Sequence, residues 1–181
     1  IRKAIKAQSH EYQIFSADYS QVELRVMAHL SGDESLISAL NNGEDIHTFT
    51  AKNIFNVDND DMVLPEMRRI AKIVNFGIMY GAGPFRLSQE LDIPFGEAKQ
   101  IKDAYFQKYQ GIEQYIENSK LQIKETKSVE TLLGRKRAVW DSDSQNKIRR
   151  DAAERMAINM PIQGTAAVSY THLTLPTTGV V

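Results

Sequence analysis

The sequence has no cysteine among its 181 residues. A disulfide framework and a thiolate metal site are therefore both excluded. It also has no apolar run close to the roughly twenty residues that a membrane-spanning helix needs, and its first residues are too polar for a signal peptide. Internal repeats and low-complexity segments are absent as well. These absences favour a globular protein that stays out of the membrane and works in a reducing interior.

What is present is an ordinary balance of residue types, with 42% hydrophobic and 25% charged residues. A chain of 181 residues is long enough for one domain or for two small lobes that share a core. It begins with Ile1 rather than with Met. We therefore expect it to be a piece of a longer protein.

The net charge is −1, so the total charge does not by itself indicate a nucleic-acid partner. The distribution of charge is more informative, because cations cluster at 68–72, 135–137 and 147–155 whereas acidic residues crowd at 58–61. Segregated charge of this kind suits a protein with one surface for an anionic ligand. Scattered, solvated charges are the open alternative at this point.

The segment 65–81 has a pattern typical of a helix with two different faces. At about 100° per residue, its apolar residues fall on one stripe. On the other side, two cations and two aromatic residues follow one another at spacings of four, which can hold a polyphosphate at one end and a flat base at the other. A solvated basic face beside core aromatics is the alternative. The apolar stripe comprises Met67, Ile70, Ala71, Val74 and Ile78, and the second stripe comprises Arg68, Lys72, Phe76 and Tyr80.

Two further residues are singled out by their positions. The β-prone run 13–18 ends in Asp18, and a helix is predicted at 22–30. A carboxylate at the end of a buried strand is costly unless it is paired or bound to a metal, so Asp18 is either a metal ligand or a helix N-cap. His47 stands near the start of a predicted helix at 45–55, which is more typical of a surface or capping group than of a ligand.

The rest of the chain predicts mostly helices. A hairpin is predicted at 129–140, where two β-prone arms flank a basic tip at 134–136. A last helix begins near residue 144 and continues until Pro161 disturbs it. The other predicted helices lie at 34–41, at 86–91, within 94–113 and at 112–126.

Three segments in a fixed order carry a resemblance to a known family. The run DYSQVELR at 18–25 resembles the first palm motif of family A DNA polymerases, and the ladder at 68–81 resembles the fingers motif of the same family. The run MPIQGTAA at 160–167 resembles the segment before the family's last palm strands, and the short runs at 45–47 and 133–135 also match. The resemblance extends from Ile1 to Ala167.

The resemblance implies an α+β, predominantly helical fold that consists of part of a polymerase palm and a helical fingers subdomain. Residues 1–48 would be a palm segment with the first metal-binding motif, 49–128 the fingers, and 129–167 a second palm segment with the basic hairpin and a primer–template helix. Residues 168–181 resemble a translated sequencing adapter, so we expect a non-native tail that packs poorly.

The resemblance also implies an activity and its cofactor. The parent protein would carry out template-directed DNA synthesis, in which deoxynucleoside triphosphates add to a primer 3′ hydroxyl. Asp18 and the backbone of Tyr19 match ligands of Mg²⁺, which prefers hard oxygen atoms. Lys72 matches a residue that assists the leaving pyrophosphate, so Asp18 and Lys72 are the expected catalytic residues.

The remaining site residues follow from the same resemblance. Expected partners are deoxynucleoside triphosphates and primer–template DNA, with a monomeric protein in a bacterial-type cytoplasm at the nucleoid. Arg68, Lys72 and His47 would contact the triphosphate. Phe76 would stack on the sugar and base, Tyr80 would guard the templating position, and Glu23 would crowd the sugar 2′ position. The residues expected to touch DNA are Arg155, Asn159 and Gln163.

One departure limits what this chain is expected to do. The family has a second metal-binding Asp in a later His-Asp-Glu triplet, and the 181 residues contain no such triplet, no thumb and no exonuclease domain. One carboxylate cannot hold two cations against a triphosphate, so we expect an incomplete piece that is inactive alone. A non-catalytic DNA- or nucleotide-binding module is the alternative function.

Overall fold

The computed structural model describes residues 6, 7, 9, 11–13 and 18–172, with side chains as far as Ser169. This part contains eight α-helices and one antiparallel pair of strands, which confirms the predominantly helical α+β prediction. None of these helices combines the length and apolar composition that crossing a membrane requires. The helices are α1 (Val22–Ser31), α2 (Glu34–Asn41), α3 (Ile46–Phe55), α4 (Pro65–Met79), α5 (Pro84–Leu91), α6 (Phe95–Lys108), α7 (Gln110–Thr126) and α8 (Lys147–His172), and the strands are β1 (Ser128–Glu130) and β2 (Lys136–Ala138).

The core is built around α4, as its apolar stripe predicts. Ala71, Val74 and Ile78 are buried, and Val74 and Ile78 pack with apolar residues of the other helices in one continuous cluster. Complete burial of a side chain the size of Val or Ile stabilises a fold by about 1.5–3 kcal/mol, so this stripe is a main source of stability. The opposite stripe stays accessible, since Arg68 and Lys72 are exposed.

The start of α1 bears on the interpretation of Asp18 as a helix N-cap. The N-cap residue of α1 is Gln21, which has a left-handed backbone with φ of 53° and makes no side-chain capping bond. Asp18 is exposed and lies three residues earlier, so it does not cap α1. Most of the predicted strand at 13–18 lies outside the described residues, and that part of the prediction is untested.

One buried carboxylate joins the N-termini of two helices. Asp33 accepts a 3.0 Å hydrogen bond from the Leu36 amide, which caps α2, and a 2.9 Å bond from the Gly111 amide in the first turn of α7. Both bonds are favoured by the partial positive charge at helix N-termini. A Cβ at position 111 would lie 2.8 Å from Asp33 Cα, so the contact requires glycine. The helices are thereby held at a fixed distance.

The predicted hairpin is present and is docked on α8. Strand β1 pairs with β2 in the register Ser128↔Ala138, and Leu132 in the connecting turn donates a 3.1 Å hydrogen bond to Thr165. The turn consists of residues 131–135, so Lys136 belongs to β2 and not to the tip as predicted. At the contact a Cβ on Gly164 would lie 2.6 Å from the Thr131 methyl group, so glycine permits the close approach.

The prediction that Pro161 disturbs the last helix is wrong. Helix α8 continues through Pro161 to His172. Proline removes one backbone donor, which leaves the carbonyl of Ala157 without its usual partner. The Tyr115 hydroxyl donates a 3.2 Å bond to the neighbouring carbonyl of Ile158, and the buried side chains of Ile158 and Ile162 hold both sides of the proline in the core.

Helix α8 also enters the segment that the sequence assigns to a non-native tail. Residues 168–172 are helical, and Ser169 donates a 3.0 Å hydrogen bond to the Thr165 carbonyl. Residues 173–181 lie outside the described part of the chain. The origin and poor packing of the segment 168–181 stay predictions.

Candidate nucleotide and nucleic-acid site

The accessible stripe of α4 carries its cations and its aromatic rings in separate turns. Arg68 and Lys72 are exposed in the first half of the helix, and Phe76 and Tyr80 follow half-buried at its end. The two rings are stacked with centroids 6.1 Å apart and planes inclined by 30°. The helix begins with Pro65 in its first turn and has no side-chain cap. This surface therefore presents positive charge at one end and flat apolar faces at the other.

The N-terminus of α3 holds the first cation of the stripe. Asp45 is the N-cap residue of α3, and its Oδ2 accepts 2.6 Å hydrogen bonds from Arg68 Nε and from Thr48 Oγ1. Burial raises the pKa of Asp45, but these two hydrogen bonds and the charge of Arg68 outweigh it and lower that pKa from 3.8 to about 2. The carboxylate is therefore ionised at neutral pH and restrains Arg68.

His47 is buried, which is a correction to its interpretation as a surface or capping group. Only 7% of the residue is exposed, and its ring centroid lies 5.7 Å from that of Phe76. Burial lowers the pKa of His47; the charges of Arg68 and Lys72 lower it further, and Asp45 opposes them. The imidazole therefore belongs to the floor of the α4 surface, where it is biased towards the neutral form.

A buried polar cluster behind His47 was not predicted from the sequence. Thr50, Asn75 and Tyr109 are at most 1% exposed. Asn75 Nδ2 lies 3.2 Å from His47 Nδ1, Thr50 Oγ1 lies 3.2 Å from Asn75 Oδ1, and the Tyr109 hydroxyl lies 2.9 Å from Thr50 Oγ1. The only sequence signal was the polar Asn75 one residue from the apolar stripe. The cluster ties α3 and α4 to the junction of α6 and α7.

The other end of the α4 surface contacts α1. The Tyr80 hydroxyl donates a 2.7 Å hydrogen bond to Glu23 Oε2. Burial raises the pKa of Tyr80, as does the bond to Glu23, whereas Gln163 opposes the rise. Beside this contact is a pocket of about 200 Å³ that is lined by Tyr19, Gln21, Val22, Glu23, Leu24 and Phe76.

The assignment of Asp18 and Tyr19 as metal ligands stays a prediction. Both residues are exposed, and Tyr19 lines the pocket. Within residues 18–172 and the few described before them, no three His, Asp or Glu side chains are close enough together to hold a metal ion. Asp18 can supply one oxygen ligand, but the described residues do not form a complete site for a divalent ion.

A second groove lies between the hairpin and α8. It has a volume of about 650 Å³, and its walls include the exposed cations Arg135, Lys136 and Arg137. Arg155, Asn159 and Gln163 line it from α8, as their spacing of four predicts. Asn159 Oδ1 is buried and has no hydrogen-bond partner among the described residues. The basic hairpin was predicted from the sequence, but its three cations were not predicted to belong to the site.

The two regions meet at the end of α4. A Cβ at Gly81, where φ is 72°, would lie 3.0 Å from Arg155 Cγ, so α8 passes directly against the turn that follows α4. The α4 surface and the hairpin groove are therefore adjacent, and the first is suited to a polyphosphate with a flat ring and the second to an extended polyanion.

Comparison with known proteins identifies the family. The sequence model of DNA polymerase family A matches residues 1–172. The chain belongs to this family. The resemblance that the sequence motifs indicated is thereby confirmed.

Individual relatives agree with this assignment. The thermostable DNA polymerase I of Thermus aquaticus is 49% identical over 92% of this chain and 20% of its own length, and DNA polymerase I of Bacillus subtilis is 47% identical over 92% of this chain and 19% of its own. The chain thus spans about one fifth of the length of these curated relatives.

The fold of this chain is similar to that of a solved structure. The structure of the polymerase domain of Pol1 from M. smegmatis, in a complex with DNA primer–template and dNTP, matches 83% of this chain and 26% of that chain, with 45% identity and a TM-score of 0.79. Within the family A fold, the structure brings Glu23, His47, Arg68, Phe76 and Tyr80 together around α4.

Proposed function

We propose that this chain is the nucleotide- and DNA-contacting part of a longer protein that carries out template-directed DNA synthesis. The observation that carries the proposal is the accessible face of α4, where two exposed cations precede two stacked aromatic rings. Family membership supports it, as does the similarity to the M. smegmatis polymerase domain, which was solved in a complex with DNA primer–template and dNTP. The proposed ligands are therefore a deoxynucleoside triphosphate and primer–template DNA.

The triphosphate would lie at the cationic end of α4. Arg68 and Lys72 would contact its oxygens, with Lys72 assisting departure of pyrophosphate. Lys72 is exposed on the turn between Arg68 and Phe76, so one ligand can reach all three. His47 would supply a further phosphate contact from the floor of the surface.

The sugar and base would lie at the aromatic end. Phe76 would stack on them, and Tyr80 would guard the templating position. The bond between Tyr80 and Glu23 fixes the carboxylate beside the pocket that Phe76 also lines. In this position Glu23 would crowd a sugar 2′ hydroxyl, so deoxynucleotides are the proposed substrates.

Primer–template DNA would lie in the hairpin groove. Arg155, Asn159 and Gln163 would contact it from α8, since all three line the groove. The cations of residues 135–137 face the same groove and would neutralise phosphates. They extend the set of DNA-contacting residues beyond those predicted from the sequence.

We propose Mg²⁺ as the divalent cofactor of the longer protein, with Asp18 and the backbone of Tyr19 among its ligands. Because the described residues do not complete the site, this chain alone is proposed to be catalytically inactive. We also propose the palm and fingers boundaries given above, a monomeric state and a location in the bacterial cytoplasm at the nucleoid. A non-catalytic binding module is the second candidate, favoured because the described residues contain no cluster of three His, Asp or Glu side chains that could hold a metal ion.

The proposal is tested by measuring the affinity of the 181-residue chain for a deoxynucleoside triphosphate and for a labelled primer–template duplex. Lys72→Ala should weaken nucleotide binding by about tenfold or more, because a charge-assisted hydrogen bond contributes about 1.5–3 kcal/mol. Lys99→Ala removes an exposed lysine on α6 and is the matched control. Equal nucleotide affinities for both variants would contradict the proposal.

The two candidate functions are separated in a version of the chain extended to the full length of its relatives. Primer extension by that protein, slowed by Lys72→Ala, would support the polymerase. Nucleotide and DNA binding without primer extension would support the binding module instead.

A further inference from the structure

The buried cluster behind His47 forms a chain of hydrogen bonds with a single possible direction. Its members come from α3, α4 and the junction of α6 and α7, and each is close to the next at 2.9–3.2 Å. The direction matters because it decides which nitrogen of the His47 ring carries the proton.

The direction follows from the hydroxyl at the far end. Tyr109 is 0% exposed, and Thr50 Oγ1 is the hydrogen-bond partner of its hydroxyl among the described residues. A buried phenol proton without an acceptor is costly, so Tyr109 must donate to Thr50. Thr50 then has its own proton free, and Asn75 Oδ1 at 3.2 Å accepts it.

Asn75 transmits this direction to the imidazole. With Oδ1 turned to the Thr50 proton, Asn75 presents its Nδ2 donor to His47 Nδ1 at 3.2 Å. Nδ1 must therefore be a lone-pair acceptor. We propose that Asn75 is a positioning residue that holds His47 in the neutral tautomer with its proton on Nε2.

The Asn75 amide as it is oriented in the structure uses both of its polar atoms fully. Nδ2 donates one proton to His47 Nδ1 at 3.2 Å and the other to Thr50 Oγ1 at 3.1 Å, and Oδ1 accepts the Thr50 proton at 3.2 Å. With the two amide atoms exchanged, Oδ1 could accept from Thr50 and from His47 Nδ1, but within the cluster Nδ2 would have only Thr50 Oγ1 as acceptor for its two protons, in a side chain that is 1% exposed. Counting donors and acceptors within the cluster therefore favours the orientation with Nε2–H.

The charges around the ring are compatible with a neutral imidazole. Burial lowers the pKa of His47, and the cations Arg68 and Lys72 add to this effect. Asp45 acts in the opposite direction, but its carboxylate is engaged by Arg68. Nothing in the charge pattern of α3 and α4 therefore demands a proton on Nδ1.

The consequence for ligand recognition rests on the proposed function. A ring with Nδ1 occupied by Asn75 has Nε2–H as its one donor for a phosphate oxygen. His47 would recognise the triphosphate through an oriented hydrogen bond, while Arg68 and Lys72 supply the charge. The cluster would keep this donor ready before the nucleotide arrives, which reduces the ordering required on binding.

The test is nitrogen-15 NMR of histidine-labelled protein, which distinguishes the two neutral tautomers directly. His47 is assigned by its loss in His47→Gln, and the spectrum is recorded on the 181-residue chain without nucleotide. The expected result is a protonated Nε2 and an unprotonated Nδ1. A protonated Nδ1 in the wild-type chain would overturn the proposal, whatever the variants show.

Asn75→Asp provides a second measurement. A carboxylate beside Nδ1 can only accept, so the proton should move to Nδ1 and the pKa of His47 should rise. Ser119→Ala is the control, since it removes another buried hydroxyl that donates to the Tyr115 carbonyl away from the cluster. A folded Asn75→Asp variant with an unchanged tautomer and pKa would also overturn the proposal.

Failure of this inference is distinguishable from failure of the proposed function. If the wild-type ring has Nε2–H but His47→Gln binds nucleotide as tightly as the wild type, the phosphate contact is wrong and the positioning role of Asn75 stands. If the ring has Nδ1–H, the positioning role is wrong whatever the nucleotide affinity is.

Discussion

The hydroxyl of Tyr80 donates a 2.7 Å hydrogen bond to the carboxylate of Glu23, although 57 residues separate them in sequence. The bond joins the end of α4 to the start of α1, and Glu23 lines the same pocket as Phe76. It therefore links the residue proposed to guard the templating position to the residue proposed to crowd the sugar 2′ position.

The hydrogen bond between Tyr80 and Glu23 should contribute to the free energy of unfolding. Tyr80→Phe and Glu23→Ala should each lower the free energy of unfolding, and a double-mutant cycle should give a coupling of about 1 kcal/mol, because a partly buried hydrogen bond to a charged group is lost. Chemical denaturation of the wild type, the two single variants and the double variant measures this coupling free energy. Additive effects would show that the bond is absent in solution.

The same pair makes a prediction about substrate choice. Glu23→Ala should raise the affinity for a ribonucleoside triphosphate relative to the matching deoxynucleotide, because it opens space at the 2′ position. Competition binding to the 181-residue chain measures the ratio of the two affinities. Glu90→Ala, which removes an exposed carboxylate of α5, should leave the ratio unchanged, and an equal ratio in both variants would contradict the role of Glu23.

The contact between Asp33 and Gly111 predicts an unusual sign for a helix substitution. Replacing Gly by Ala in a helix ordinarily stabilises by about 0.5–1 kcal/mol. Gly111→Ala should instead lower the free energy of unfolding by about 1–3 kcal/mol, because the new methyl group would overlap the backbone of Asp33.

The chain contains a matched control for that substitution. Gly96 is also the second residue of a helix, α6, and nothing lies within 4 Å of a Cβ built on it. Gly96→Ala should be neutral or stabilising in the same denaturation experiment. Equal effects at positions 96 and 111 would mean that the Asp33 contact does not constrain α7.

The burial of His47 predicts a pH dependence of stability. Because its pKa is lowered in the folded chain, the unfolded chain binds more protons just below the ordinary histidine value of about 6.5. The contribution is fully present above that value and is lost as the pH falls below it. His47→Gln should remove this part of the slope, whereas His29→Gln on exposed α1 surface should not.

Asp45 contributes to the free energy of unfolding in a different pH range. Its pKa is lowered to about 2, so its stabilising contribution is present above about pH 4 and is lost only as the pH falls towards 2. Denaturation curves between about pH 5 and 8 therefore report on His47 without interference from this carboxylate. A flat profile over that range, unchanged by His47→Gln, would contradict the buried position of the ring.

The ion pair between Asp45 and Arg68 predicts the direction of an affinity change. Asp45 competes with a triphosphate for the guanidinium, so Asp45→Asn should strengthen nucleotide binding, by up to about fivefold for an exposed pair. Asp60→Asn, which breaks the exposed pair with Lys52, is the control. Weaker binding by Asp45→Asn would show that the carboxylate orients Arg68 for the ligand rather than withholding it.

The features that the sequence predicted well depend on local periodicity. The apolar stripe of α4 and the bounds of α1, α2 and α3 follow from residues a few positions apart, and the structure confirms them. The spacing of four also brought Arg155, Asn159 and Gln163 to one groove. These relationships are encoded within single helices.

The features that were missed depend on contacts between distant segments. Nothing near Asp33 in the sequence points to Gly111, which is 78 residues away. His47 is buried because α4 packs across α3, and α8 continues through Pro161 with the buried Ile158 and Ile162 on either side of it. These contacts join residues that are far apart in sequence, so they cannot be predicted from the pattern of neighbouring residues or from helix propensities.

The central claim is that the accessible face of α4 binds the triphosphate of a deoxynucleotide, and its most direct test is an NMR titration of the 181-residue chain. We predict that backbone amide shifts concentrate around Arg68, Lys72, Phe76 and Tyr80 and that Lys72→Ala diminishes them. The chain also has a mixed-charge cavity of about 290 Å³ lined by Lys102 and Lys120. Shifts confined to that cavity, or no shifts at saturating nucleotide, would contradict the claim.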